Sequence, residues 1–329
     1  MTDGQGGVTA HTDGDAGHVE GVEVTANPHG LVLDRAVQLF LESIDEAAGP
    51  NVPLQKAFSA VGVDERAVTV DAGEYGSVRV RVVRPAGAAA PLPAVVYVPG
   101  DGWGPESARS HARLVADLAR GSNAVLVVPE CTPGADHRDG VEQAYATARW
   151  ISADGDAWGI DPSRIAVAGD STGAHLVLGL VLASLHRNEF RFSQLVAFTP
   201  VTDIACDTES CHHFAEGYFL RREHLVAFRD RHLSDGRAHT DPSIAPLHAA
   251  ATDLASFPPS LVITAEADVV RDQGEAFAAR LREAGAATTA VRYEGTIHGF
   301  VALDALRDTS ASRAAVAQAA AALRTSLTT

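Results

Sequence analysis

Gly169-Asp170-Ser171-Thr172-Gly173 follows the apolar run Arg164-Ile165-Ala166-Val167-Ala168 and leads into Ala174-His175-Leu176-Val177-Leu178-Gly179-Leu180-Val181-Leu182-Ala183-Ser184. The first run reads as a strand and the last as a helix, so Ser171 sits on the turn between them with a glycine on either side. G-x-S-x-G in that context is a nucleophile elbow. A serine raised above a sheet on so tight a turn has strained backbone angles, and side chains at the flanking positions would collide with the neighbouring strand and helix. The N–H of Thr172, at the start of the helix, points back at the reacting centre and can donate to an oxyanion.

The pattern around the elbow predicts an open α/β sheet with helices on both faces. Ala94–Val98, Ala124–Val128, Ile165–Ala168, Leu195–Phe198 and Leu261–Thr264 are short and apolar at every position, as strands of a parallel sheet buried on two sides should be. Helical stretches over 107–120, 141–152, 172–185 and 274–284 alternate with them. A late strand over 289–293 and an Ala-rich helix over 311–327 follow. Ahead of the buried strands, Ala67–Val70 and Val78–Val82 alternate in polarity and read as half-exposed antiparallel strands joined through Gly73 and Gly76. Pro85 to Pro93 reads as a loop.

Two stretches fall outside this rhythm. From Leu31 to Ala48, Leu33, Val37, Phe40, Ile44 and Ala47 recur at helical spacing before Gly49-Pro50. Between Asp203 and about Pro246 no strand is expected, and Phe214, Tyr218, Phe219, Arg221, Arg222 and Phe228 are prominent. An insertion there follows a strand's carboxyl end and overlies the face where such sheets bind ligands. The expected division is a disordered tail over 1–26, cap pieces over 27–62 and 203–246, and a catalytic domain over 63–202 and 247–329. Cys206, Cys211, His212 and His213 resemble a metal cluster in composition, but the second half of a zinc motif is missing and no metal is expected. His11 and His18 read as residues of a solvated tail.

The 329 residues carry 42 acidic against 26 basic side chains, a formal net charge of −16. That disfavours nucleic acid and anionic membrane surfaces as partners and leaves a small molecule as the expected one. Three cysteines give an odd count and point to a reducing compartment. Residues 1–21 show neither a basic nor an apolar leader segment, so a cytoplasmic location is expected.

A serine at neutral pH needs a base, and the base needs an orienting acid. For an elbow serine the order along the chain is serine, acid, histidine, each on a loop after a strand. Asp268 ends Ala265-Glu266-Ala267-Asp268 after the strand at 261–264, and His298 follows Val291-Arg292-Tyr293 within Glu294-Gly295-Thr296-Ile297-His298-Gly299-Phe300. His298 would take the Ser171 proton and Asp268 would fix the imidazole tautomer. Asp272 and Glu266 are alternatives for the acid, but Asp268 is best placed, immediately after the strand, whereas Asp272 begins the helix and is a candidate for its cap.

With these residues in place the chain, from about 31 to 327, resembles the hormone-sensitive-lipase-like family of α/β-hydrolases, in its bacterial carboxylesterase branch. The resemblance is carried by Gly169–Ala174, Phe198-Thr199-Pro200-Val201-Thr202-Asp203, Gly217-Tyr218-Phe219-Leu220, Phe257–Asp268, Arg271–Phe277 and Tyr293–Phe300. It implies an eight-stranded, mostly parallel sheet, a helical cap, no cofactor, and hydrolysis of short to medium acyl esters, or of acetyl or lactone groups of a small metabolite, through an acyl-enzyme. It leaves room for a homodimer through edge strands or late helices.

One motif departs from the family. Where it has His-Gly-Gly-Gly, this chain has Pro99-Gly100-Asp101-Gly102-Trp103. By position, Gly100 belongs to the oxyanion loop, and the amides of Asp101 and Gly102 should join that of Thr172 as donors. Trp103 is a candidate for the wall of the acyl pocket or for the core. A carboxylate about 5 Å from the developing oxyanion, at an effective dielectric of about 20, would oppose it by about 3 kcal/mol, which is about two decades of rate. Either Asp101 faces solvent and lends only its N–H, or it is protonated, or it acts as acid or base in a cyclisation, elimination or acyl transfer on the same fold. A non-catalytic receptor is a third class, against which three triad candidates argue.

Overall fold

Leu92–Val98 is buried at every position, and its side chains divide between two cores: Val95 and Tyr97 on one side, Ala94, Val96 and Val98 on the other. That two-sided burial organises the molecule. The computed structural model describes Met1 and residues 26–46, 61–89, 91–100, 105–132, 136–232 and 241–328. In chain order the elements are α1 (Arg35–Glu46), β1 (Val63–Asp71), β2 (Ser77–Pro85), β3 (Leu92–Val98), α2 (Pro105–Ser110), α3 (Ala112–Ser122), β4 (Val125–Glu130), α4 (His137–Asp154), β5 (Ile160–Asp170), α5 (Ser171–Arg187), β6 (Leu195–Phe198), α6 (Glu209–His213), α7 (Arg222–His232), α8 (Ala251–Leu254), β7 (Ser260–Ala267), α9 (Arg271–Glu283), β8 (Thr288–Ile297) and α10 (Ser310–Thr328). Expectations for 2–25, for Ala47 to Pro50, and for Asp101, Gly102 and Trp103 lie outside the described residues.

The strands form one eight-stranded sheet in the order β1-β2-β4-β3-β5-β6-β7-β8. β1–β2 and β2–β4 pair antiparallel, and every pair from β4–β3 through β7–β8 is parallel. Leu114, Val115 and Leu118 of α3 join Ala315, Ala319 and Leu323 of α10 on one face, whereas Val141 of α4, Leu176 and Leu180 of α5 and Phe277 of α9 pack on the other. α3 and α5 each stop at an asparagine in the left-handed region, Asn123 at φ 55° and Asn188 at φ 53°, a conformation asparagine tolerates well.

Three details differ from the sequence reading. The stretch 107–120 is not one helix but two, α2 and α3, broken at His111, which has φ −93° and ψ 6°. Apolar spacing carries through the break, so periodicity could not reveal it. Pro93 belongs to β3 rather than to a loop, and the β3–β5 register shifts between Leu92 and Ala94. A residue without an N–H is tolerated at such an irregularity. The first helix is shorter than its apolar pattern, starting at Arg35, and it buries Val37, Phe40 and Leu41.

Between Asp203 and Pro246 the described residues contain α6 and α7 and no strand. This stretch meets the segment leading into α1. Asn27 donates its N–H to the Gly217 carbonyl at 3.1 Å, the His29 ring stacks on His213 with centroids 3.9 Å apart, and Phe40 of α1 meets Phe219 edge-on at 5.6 Å.

Arg113 of α3 locks the segment that follows β8. Its side chain is 7 % exposed and donates to Asp304 at 2.9 Å, to the Val301 carbonyl at 2.8 Å and to the Ala302 carbonyl at 3.1 Å. Truncation would leave those acceptors facing a hole. Arg113→Ala is expected to lower stability by about 3 kcal/mol, read from the urea midpoint at unchanged slope; a loss under about 1 kcal/mol would mean that water replaces the guanidinium without cost.

Candidate active site

β3, β5, β7 and β8 run parallel, so the residues just beyond their carboxyl ends, Pro99-Gly100, Ser171, Asp268 and His298, collect at one edge of the sheet. Ser171 is the first residue of α5 and has φ +51°, in the left-handed region. For a residue with a side chain that conformation is strained by about 1–3 kcal/mol and must be imposed by its surroundings. The imposition is visible at the two glycines. A Cβ on Gly169 would lie 2.8 Å from the Gly173 carbonyl carbon, and one on Gly173 would fall inside the backbone of Val98 and Pro99.

His298 Nε2 is 2.8 Å from Ser171 Oγ, and His298 Nδ1 is 2.9 Å from Asp268 Oδ2. Asp268 is 1 % and His298 4 % exposed, while Ser171 is half-buried at the open end of the chain of hydrogen bonds. The second carboxylate oxygen of Asp268 accepts the Val270 N–H at 3.0 Å. A carboxylate can only accept, so Nδ1 carries the proton and Nε2 presents its lone pair to the serine hydroxyl. That is the tautomer a general base needs.

The two alternatives for the acid are engaged elsewhere. Glu266 accepts the Gly295 N–H at 2.7 Å. Asp272 does not cap its own helix: it accepts the Ser210 N–H of α6 at 2.7 Å and pairs with Arg271 at 2.9 Å. Burial raises the Asp272 carboxyl, but the Ser210 amide and Arg271 outweigh it and hold the pKa below the ordinary value. Ser210 Oγ also donates to the Val269 carbonyl at 3.1 Å, so the short helix α6 is fastened to the loop that carries Asp268.

Gly100 donates its N–H to Asp170 Oδ1 at 3.1 Å, so that amide supports the loop after β3 instead of facing the serine. Thr172, 8 % exposed, is the second residue of α5, directly after Ser171. Asp101, Gly102 and Trp103 lie outside the described residues. The four residues that resembled a metal cluster have other surroundings: Cys206 and Cys211 are buried in the apolar core, His212 pairs with Asp207 at 3.0 Å and His213 stacks on His29.

The sequence reading assigned no role to Asp170, Tyr97 or His111. Asp170 is 2 % exposed, accepts the Tyr97 hydroxyl at 2.6 Å and faces His111 Nε2 at 3.1 Å. Burial raises its carboxyl, but the charge and hydrogen bond of His111, the Tyr97 hydroxyl and the Gly100 amide outweigh it, so its pKa lies below the ordinary value. Burial and the neighbouring Asp170 raise Tyr97 well above the ordinary phenol, which keeps it a neutral donor.

Comparison with known proteins agrees with this fold. The model of a family described as alpha/beta hydrolase fold matches residues 95–302. The chain is 29 % identical to an ethyl acetate hydrolase of Pseudomonas putida over 288 residues, 84 % of this chain and 86 % of that one. It is 31 % identical to the carboxylesterase NlhH of Mycobacterium tuberculosis over 251 residues, 73 % and 75 % of the two chains. The crystal structure of a thermostable esterase from Pseudomonas putida superposes with a TM-score of 0.84 at 33 % identity, covering 90 % of this chain and 98 % of that one.

Proposed function

Since the chain belongs to the alpha/beta hydrolase fold family, in its hormone-sensitive-lipase-like carboxylesterase branch, we propose that it cleaves short-chain acyl esters through an acyl-enzyme on Ser171. The chain is a carboxylesterase-type hydrolase. Ser171 Oγ attacks the ester carbonyl while His298 Nε2 takes its proton, and the Thr172 N–H, with amides of the loop after β3, holds the resulting oxyanion. His298 returns the proton to the departing alcohol. Water then repeats the sequence on the acyl-enzyme and releases the acid. Asp268 keeps the imidazole oriented and steadies the imidazolium. The observation that carries this reading is the continuous chain Asp268–His298–Ser171, at 2.9 and 2.8 Å, ending on a serine held at φ +51°.

The two expected cap pieces, 27–62 and 203–246, would overlie the site, and their apolar and aromatic residues would line an acyl pocket suited to short chains. All three cysteines carry free, buried thiols, which supports a reducing, cytoplasmic setting. No helix among the described residues is long and apolar enough to cross a membrane.

Hydrolysis of p-nitrophenyl esters from acetyl to octanoyl tests the reading. The expected result is a kcat/KM highest at acetyl to butyryl and at least about tenfold lower at octanoyl, since each surplus methylene left outside a closed pocket forfeits its burial. No turnover by folded protein would remove the general esterase and favour a cyclisation, elimination or acyl transfer that uses Asp101.

A further inference from the structure

Next to Ser171 lies a second pair of aspartate and histidine that the hydrolytic steps do not use. We propose that His111 is a positioning residue: as an imidazolium it holds the Asp170 carboxylate, and the pair fixes the turn after β3 against the backbone of the nucleophile. The proposal rests on the reading of Ser171 as nucleophile, but its first test does not.

The protonation state follows from the contacts. Nε2 of His111 is 3.1 Å from Asp170 Oδ2, and Nδ1 is 2.8 Å from the carbonyl oxygen of Ser107. A carbonyl and a carboxylate both accept, so each ring nitrogen carries a proton. Ser110 Oγ, 2.9 Å from Nδ1, donates its own hydrogen to the Ser107 carbonyl at 2.9 Å and turns a lone pair toward the ring. His111 is 4 % exposed and occupies the break between α2 and α3, where its ring can reach the end of β5 while the backbone changes helix.

The pair acts at the reacting centre through three attachments. Asp170 immediately precedes Ser171, so fixing its side chain fixes the strained turn. Its Oδ1 accepts the Gly100 N–H at 3.1 Å and the Tyr97 hydroxyl at 2.6 Å, which ties the end of β3 and the start of the oxyanion loop to the same carboxylate. The fit depends on glycine, since a Cβ on Gly100 would stand 2.7 Å from Asp170 Oδ2 and 3.2 Å from Ser171 Cβ. A carboxylate buried this close to a developing oxyanion would oppose it; the imidazolium cancels the charge while keeping the hydrogen bonds. Among the described residues, Tyr97 of β3 and His111 are the titratable groups that hydrogen-bond to Asp170. Arg113, two residues along α3, acts on Tyr97 from farther off.

Two measurements test the proposal. In the resting wild type, 1H–15N spectra of the histidine rings at pH 7.5 are expected to show His111 protonated on both nitrogens. A neutral tautomer there overturns the proposal whatever the fate of Ser171. Steady-state kinetics on p-nitrophenyl acetate from pH 5 to 9 then compare His111→Gln, Asp170→Asn and the double variant, each checked for folding by thermal melting. His111→Gln is expected to lower kcat about 100-fold at pH 8 with KM changed less than about threefold, a loss of the size seen when oxyanion stabilisation is disturbed. The deficit should shrink as pH falls and the orphaned Asp170 takes up a proton. The double variant, which buries no charge, should recover to within about tenfold of wild type across the range. A wild-type pH profile in His111→Gln, or a double variant no better than the single one, overturns the proposal. If His111→Gln does not fold, Asp170→Asn decides: the amide keeps the Tyr97 and Gly100 bonds and needs no cation, so kcat should stay within about tenfold of wild type, and a larger loss overturns the proposal.

Discussion

Replacing Ser171 by alanine should abolish turnover of p-nitrophenyl acetate, with kcat falling about six decades, the scale on which a triad acts as a unit. The substitution removes one oxygen atom and leaves the Cβ that the elbow already accommodates. His298 and Asp268 lose no support from it, because their mutual bond at 2.9 Å and the Val270 amide at 3.0 Å on Asp268 do not involve the serine. The melting temperature should therefore stay within a few degrees of wild type. The variant should still bind substrate, so KM-like saturation of ligand binding should persist while chemistry is lost. A variant that retains more than about 1 % of wild-type kcat would show that the nucleophile is another group or a water.

Asp268→Asn should cost about four decades in kcat with the fold intact. The direction follows from the Val270 N–H, which donates to Asp268 Oδ1 at 3.0 Å. In the asparagine variant the side-chain oxygen is drawn to that amide, and its NH2 then faces His298 Nδ1. The imidazole must accept there, so its proton moves to Nε2, and Nε2 can no longer take the proton of Ser171 Oγ 2.8 Å away. The readout is kcat at saturating p-nitrophenyl acetate, with KM nearly unchanged. A loss below about tenfold would mean that the tautomer is set by something other than Asp268, whereas an equal loss in Asp272→Asn would mean that the two carboxylates act together.

The elbow was legible because its demands are local. Gly169 and Gly173 must lack side chains for the turn to close, and both spacing and context are contained in a few consecutive residues. The buried strands were legible for a similar reason, since a run such as Ala94–Val98 with no polar face can only be covered on two sides. The choice of Asp268 over Asp272 was partly legible from its place after β7. That Asp272 turns instead to the Ser210 amide, 62 residues away in the sequence, was not legible.

Tyr97, Asp170 and His111 were not legible as a group. Asp170 is 73 residues from Tyr97 and 59 from His111, and no spacing rule joins them. Tyr97 reads as one more core residue of a buried strand. His111 reads as one position in a helical pattern that stays periodic on both sides of it, although the chain leaves the helix there and the ring turns to a carboxylate. The contacts between the segment around α1 and the stretch after β6, such as His29 on His213 and Phe40 on Phe219, were not legible, because they join residues far apart in the sequence.

The most direct test of the account is to catch the acyl group on the serine. Wild-type protein mixed with p-nitrophenyl acetate, quenched in acid within the first turnovers and digested, should yield a peptide containing Ser171 that carries one acetyl group, in step with a burst of p-nitrophenol equal to the enzyme concentration. Ser171→Ala should show neither label nor burst. Acetyl found on another residue, or steady turnover with no label on Ser171 and no burst in a quench fast enough to resolve both, would contradict the assignment of Ser171 as the nucleophile.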